Sequence, residues 1–258
     1  MQEVGAPGAG KWFEPYVTYW GSDQPSRFAR TMAQTIPIDK GVTKLLDIGC
    51  GSGIIGIYCL IKKEARSVTF NDLQASWIDT TRRNVDIKIR EGTIQQAQVE
   101  FTKAGPFADP KVISTEVIAQ HTLLAFNPPQ LPTEYVVEKS LQSIENDPIE
   151  KAFRIGGPDG LNIVRNFLEW YAGVKTPKPD AVILLSSFLG RELINQTIAS
   201  CGLREASREE TAGVPLRPIF VKEKIDALSN EERDDKSLTP DGHGWWTKTL
   251  FTIRLKNS

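Results

Sequence analysis

Three glycines in alternating positions, Gly49, Gly51 and Gly53, follow directly on the apolar run Lys44-Leu45-Leu46-Asp47-Ile48. A short run of that composition, ending in glycine, reads as a buried strand. The segment from Ile54 to Lys63 then reads as a helix. A chain that must leave a buried strand, bend sharply and start a helix has few architectures open to it. Lacking a Cβ, the glycines let the backbone bend and let another molecule lie close to it. The helix beginning there offers free N–H groups and the positive end of its dipole. The second strand, Ser67-Val68-Thr69-Phe70-Asn71, is closed by Asp72. A carboxylate at that distance from the glycines is placed to accept hydrogen bonds from both hydroxyls of a ribose.

The alternation of strand and helix continues. Ala75 to Asn84 reads as a helix, a strand is expected near Val99-Glu100-Phe101 and a helix near Val112 to His121. Thr122 to Phe126 is another strand, and Leu161, Val164, Leu168 and Tyr171 give a helix with one apolar face. Ala181 to Ser187 follows as a buried strand, Glu192 to Cys201 as a helix, and Thr249 to Leu255 alternates as a strand. Lys222 to Gly244 is polar and charged, the pattern of a solvated insertion. Together these predict an α/β fold: a doubly wound, mainly parallel seven-stranded sheet with helices on both faces. The expected organisation is an aromatic helical segment or lid over residues 1–40 and one catalytic domain over 41–258. Ligands of such sheets sit beyond the carboxyl ends of the strands.

Composition narrows the function classes. The formal net charge of −1 gives no general pull toward nucleic acid or an anionic membrane, so neither is expected as a partner. Three cysteines, Cys50, Cys59 and Cys201, and two histidines, His121 and His243, suit neither a disulfide framework nor a metal site. Met1 to Lys11 lacks the basic start and apolar run of a signal peptide, and no stretch approaches a membrane span of about 20 apolar residues. The expectation is a reduced, cytoplasmic protein.

After the fourth strand stands Asn127-Pro128-Pro129-Gln130. The prolines fix φ and remove two N–H donors, leaving the carbonyls of Asn127 and Pro128 in a stiff extended turn. An incoming N–H group can donate to the Asn127 side-chain oxygen and to the Pro128 carbonyl. Two such bonds hold a nitrogen and aim its lone pair, which is what an in-line displacement requires of a protein.

The string Leu45-Leu46-Asp47-Ile48-Gly49-Cys50-Gly51-Ser52-Gly53 resembles the first motif of the class I S-adenosylmethionine-dependent methyltransferases. The Asn-Pro-Pro turn is similar to that of the amino-methyltransferases that modify glutamine in release factors, and to that of the adenine N6-methyltransferases. Gly156-Gly157-Pro158-Asp159-Gly160-Leu161 resembles a second motif of the glutamine group. The likeness spans about residues 44 to 200. It implies a Rossmann-like fold and S-adenosylmethionine as cofactor. Asp47 would hold the methionine amino group, Gly49, Gly51 and Gly53 would face the cofactor, and Asp72 would bind the ribose. Thr102 stands where a residue near the adenine is expected. The implied reaction is methylation of a nitrogen, on a small amine or amide or on a protein side chain, with Asn127 and Pro128 as the catalytic pair.

Other readings stay open on the sequence. Gly51-Ser52-Gly53-Ile54-Ile55-Gly56 also fits the dinucleotide pattern of a nicotinamide or flavin enzyme, although there the first glycine directly follows the strand. The family's aromatic residue after the prolines is here Gln130, which points to a small, polar acceptor with Gln130 in its binding site. That suits S-methylation of a free amino acid such as methionine. It also suits S-adenosylmethionine as its own substrate, cyclising to azetidine-2-carboxylate with release of methylthioadenosine. A scaffold that binds a partner without catalysis is a further class, which the intact glycines, Asp72 and Asn127 speak against.

Trp12, Phe13, Tyr16, Tyr19 and Trp20 crowd the N-terminal segment. They form either a packing cluster or a lid, since aromatic faces stabilise a sulfonium as they do an ammonium. Tyr16 and Trp20 are the expected substrate-pocket residues. His121, just ahead of a buried strand, reads as a hydrogen-bonded structural histidine.

Overall fold

β1 (Lys44–Ile48), β2 (Ser67–Asp72) and β4 (Leu123–Phe126) are buried along almost their whole lengths. Strands apolar on both faces belong inside a parallel sheet covered on both sides. A computed structural model of the chain shows that sheet. It describes residues 27–103, 113, 115–146, 151, 154–175, 178–216, 219–229, 238–240 and 246–257.

Two compact units divide the chain. The first comprises Met1–Pro106, Lys111–Asn127 and Pro177–Pro179. In it, β1 pairs in parallel with β2 on one side and β4 on the other, and β2 pairs in parallel with β3 (Val99–Lys103). Among its described residues, this unit holds the helices α1 (Arg27–Thr35), α2 (Ile54–Lys62), α3 (Ala75–Arg90) and α4 (Thr115–Ala119). α2 is apolar nearly all round and lies close against β2. Gly56 permits that approach, because a Cβ there would overlap the Phe70 ring and fall 2.7 Å from Val68.

The second unit comprises Phe107–Pro110, Pro128–Thr176 and Asp180–Ser258. Its sheet is antiparallel: β10 (Trp246–Asn257) pairs with β7 (Asp180–Ser186), β8 (Leu203–Pro215) and β9 (Leu238–Pro240). A separate parallel pair joins β5 (Leu131–Pro132) to β6 (Ile155–Gly157). Its described helices include α5 (Glu138–Glu145), α6 (Asn162–Ala172), α7 (Arg191–Ser200) and α8 (Lys222–Ser229).

The fold class expected from the sequence is the one observed: strands and helices alternate, and a mostly parallel sheet is flanked by helices. Two local expectations change. The charged stretch 222–244 holds α8 and β9, and Leu238 is 3% exposed within a cluster with Phe188 and Leu216. β8 went unread because Leu-Arg-Glu-Ala-Ser-Arg-Glu-Glu has no apolar alternation. Charged side chains on a long, polar strand of this kind discourage pairing with other chains.

Candidate functional site

Because the strands of the first unit run parallel, their carboxyl ends lie at one rim. The register places Ile48 beside both Asn71 and Phe126, and Asp72 beside Lys103. Gly49, Asp72 and Asn127 therefore leave the sheet at the same level. Asp72 and Asn127 are two strand spacings apart, about 10 Å.

The glycine loop is built on positive φ: 63° at Gly49, 56° at Gly51 and 81° at Gly53, a region side chains rarely enter. At Gly53 a Cβ would also lie 2.6 Å from Thr81. Neighbouring strands and helices hold the loop by its backbone. Cys50 N–H donates to Asn71 O at 3.0 Å, and Gly51 N–H donates to Asp72 Oδ2 at 3.0 Å. From α3, the Thr81 hydroxyl donates to Gly51 O at 2.6 Å and the Asn84 amide donates to Ser52 O at 2.8 Å. These two braces escaped the sequence reading. Their signal was a hydroxyl and an amide three residues apart, on the buried face that α3 shares with Trp77, Ile78 and Val85.

Asp47 is 1% exposed, and its Oδ2 accepts from Gly56 N–H at 3.0 Å. Its Oδ1 is buried with no hydrogen-bond partner among the described residues. Burial, partly offset by the Gly56 N–H and reinforced by the charge of Asp72, pushes the carboxyl up to about 7. A buried, unsatisfied carboxylate oxygen is costly and calls for a donor. Asp72 differs, since Oδ1 accepts from Gln74 N–H and Oδ2 from Gly51 N–H, both at 3.0 Å. Burial raises its carboxyl too, against those N–H groups. Each oxygen keeps a lone pair for a further donor. Leu73, the next residue, is 51% exposed and sets an apolar surface beside Asp72. An amino group, a ribose and an apolar base face are the parts that this set fits, so the residues present suit S-adenosylmethionine. Thr102, the penultimate residue of β3, lies beside Asn71, whose amide donates to the Thr102 hydroxyl at 2.9 Å.

Asn127 is half-buried, and its side chain makes no hydrogen bond with a described residue. Pro128 is buried. The side chain expected to meet the acceptor, Gln130, has other partners. Its Nε2 donates to Leu184 O at 2.9 Å, and its Oε1 accepts from Ser186 N–H at 2.8 Å, both on β7. This replaces the expected substrate contact, because a backbone strand end satisfies the amide.

The Gly156–Gly160 motif is the bed for this turn. A Cβ on Gly156 would overlap Gly160 O and fall 2.8 Å from Gln130 Cα, and one on Gly160 would fall 2.7 Å from Gln130 O. Asp159 accepts from Leu161 N–H at the start of α6 and pairs with Arg165, which holds its carboxyl below the usual carboxylate range.

His121 is a structural histidine as read. One ring nitrogen contacts Val117 O at 2.6 Å and the other the Thr69 hydroxyl at 2.7 Å. Burial lowers its pKa, favouring the neutral ring. Tyr16 and Trp20 lie outside the described residues. Among those described, no three His, Cys, Asp or Glu side chains group as metal ligands, and no helix is long and apolar enough to cross a membrane.

Residues 21–108 match the family described as the methyltransferase small domain. Curated proteins gave no match. Among solved structures, the tRNA methyltransferase TrmK of B. subtilis is similar at 10% identity, covering 91% of this chain and 67% of that one with a TM-score of 0.48. A ribosomal protein L11 methylase from Lactobacillus delbrueckii subsp. bulgaricus is similar at 13% identity over 92% and 81%, TM-score 0.46. TrmK of M. capricolum, solved with S-adenosyl-homocysteine, is similar at 8% identity over 91% and 69%, TM-score 0.44. The matched family is one of methyltransferases, and its match lies over the stretch that carries the glycine loop and Asp72.

One expectation is corrected here. Nucleic acid was set aside as a partner on the whole-chain charge, yet the similar structures include a tRNA methyltransferase. A net charge of −1 describes the average field and leaves any local basic patch unaddressed.

Proposed function

We propose that this chain is an N-methyltransferase of the Asn-Pro-Pro type, acting on an amine or amide nitrogen of a small molecule or a protein side chain. The observation that carries the reading is the Asn127 side chain, uncommitted to any described residue and level with Gly49 and Asp72 on one rim. S-adenosylmethionine, when bound, supplies a methyl group on a sulfonium leaving group.

The residues have distinct tasks. Asp47 Oδ1 accepts from the methionine amino group, gaining the donor it lacks. The spare lone pairs of Asp72 take the ribose hydroxyls, and Leu73 gives the adenine an apolar face. Gly49, Gly51 and Gly53 keep the loop free of side chains. Thr102 keeps its assignment near the adenine. Asn127 Oδ1 and the Pro128 carbonyl each accept one N–H of the acceptor. The nitrogen lone pair is then the only direction left free, which is positioning rather than activation. Tyr16 and Trp20 are assigned to the acceptor pocket from the sequence alone. We place the protein in the cytoplasm, in keeping with its free thiols Cys50, Cys59 and Cys201.

The test is product analysis by mass spectrometry. The purified protein is incubated with S-adenosylmethionine alone, then with methylamine, acetamide, a protein extract or total RNA. S-adenosylhomocysteine formed with an amine, an amide or protein supports the reading. Methylation of RNA alone, or methylthioadenosine without any acceptor, overturns it.

A further inference from the structure

We propose that Gln130 is a positioning residue for the transfer step, acting through the Pro128 carbonyl; this rests on the N-methyltransferase reading above. In a parallel ladder, one residue donates its N–H to the C=O of residue i and accepts from the N–H of residue i+2 on the next strand. The Gln130 side chain does both on β7, to Leu184 O at 2.9 Å and from Ser186 N–H at 2.8 Å. Its amide thus stands in for a strand neighbour. Leu184 and Ser186 are buried, so the groups that it satisfies are ones that cannot turn to water.

Two bonds to a rigid strand fix the plane of the amide. Nε2 still has a second N–H, and it lies 3.4 Å from the Pro128 carbonyl oxygen. That carbonyl therefore has one lone pair facing Gln130 and one remaining for an acceptor N–H. The backbone of Gln130 is held from the other side, where neither Gly156 nor Gly160 has room for a Cβ. Side chain and main chain together set the direction of the Pro128 carbonyl. An aromatic ring at this position could not make the pair of bonds to β7, so the substitution changes what holds the turn and removes a stacking wall.

The experiment uses the full chain and two variants. In Gln130→Ala, the Ser186 amide should lose at least tenfold of its hydrogen-exchange protection. With saturating S-adenosylmethionine and methylamine or acetamide as acceptor, kcat should fall about tenfold while cofactor Kd changes little; Tm should fall, because two buried backbone groups lose their partner. Gln130→Glu tests the chemistry directly. A protonated carboxyl has one O–H to donate to Leu184 O and an oxygen to accept from Ser186 N–H, but no second donor for the Pro128 carbonyl, whereas a carboxylate turns an oxygen toward the Leu184 carbonyl. As pH falls, Ser186 protection should therefore recover toward that of the parent chain, and kcat should recover with the same midpoint but only in part. Unchanged Ser186 protection in Gln130→Ala overturns the clamp. Lost protection with kcat unchanged overturns the positioning role. If the parent chain transfers methyl to no amine, amide or protein acceptor, the N-methyltransferase reading falls and takes the positioning role with it, while Ser186 exchange still reports whether the clamp exists.

Discussion

At the end of β1 the chain bends through three glycines with positive φ, while at the end of β4 it leaves through two prolines. The first bend is soft in itself and rigid by its surroundings. Asp72, Thr81, Asn84 and Asn71 O each hold one of its backbone groups. The second is stiff in itself, and after Pro129 it is fastened by one side chain, Gln130. The contrast follows from what each must present. A loop that wraps a cofactor needs bare backbone and many braces. A turn that presents acceptors needs few N–H groups and a fixed direction.

The comparison is broken most sharply at Asn127. Asn127→Ala should leave cofactor affinity nearly unchanged and cut turnover on the order of 100-fold or more, as lost positioning does. Calorimetric titration and steady-state rates with a methylated acceptor separate the two quantities. A variant that binds and turns over normally removes the turn from the mechanism.

Asp72→Ala tests the opposite pole. It removes the ribose acceptors and also the partner of Gly51 N–H, so cofactor affinity should fall on the order of 10- to 100-fold. The Asn127 variant should not share that loss. Equal affinity losses in both would mean that the two bends do not divide the work.

Gly156→Ala sharpens the picture in the second unit. Its Cβ has no space against Gly160 O and Gln130 Cα, so the bed or the turn must shift. Overpacking of this kind costs about 1–3 kcal/mol. A lower Tm together with lost Ser186 exchange protection is expected. An unchanged Tm would show that the bed yields freely.

The two regions were not equally legible in the sequence. β1, β2 and β4 announce themselves because burial on both faces demands unbroken apolar runs. β8 does not, because its surroundings ask for charge rather than apolar alternation. α8 and β9 were hidden within a charged stretch, where Leu238 and Ile225 are isolated apolar residues that pack only in three dimensions. In the site, the glycines, Asp47 and Asp72 stood out by their spacing from strand ends. Thr81 and Asn84 did not, since they act on the loop across thirty-odd residues of chain. Gln130 was visible, but a side chain's choice between a ligand and a strand end is a tertiary fact.

The smallest effect concerns Asp47 and pH. Its carboxyl is pushed up to about 7 from an ordinary 3.8, chiefly by burial. The folded chain therefore holds that proton more tightly than the unfolded chain does. On this account alone, stability without cofactor should decline as pH rises from about 4 through about 7. Cofactor binding has the opposite sign, because an ammonium favours the ionised carboxylate. Affinity for S-adenosylmethionine should fall about tenfold between pH 8 and pH 6, the change expected when a group with a pKa near 7 becomes protonated. Asp47→Asn should flatten that dependence while leaving Gly56 N–H an oxygen to donate to. Affinity that stays level from pH 8 to pH 6 in the parent chain would mean that Asp47 Oδ1 is not where the amino group binds.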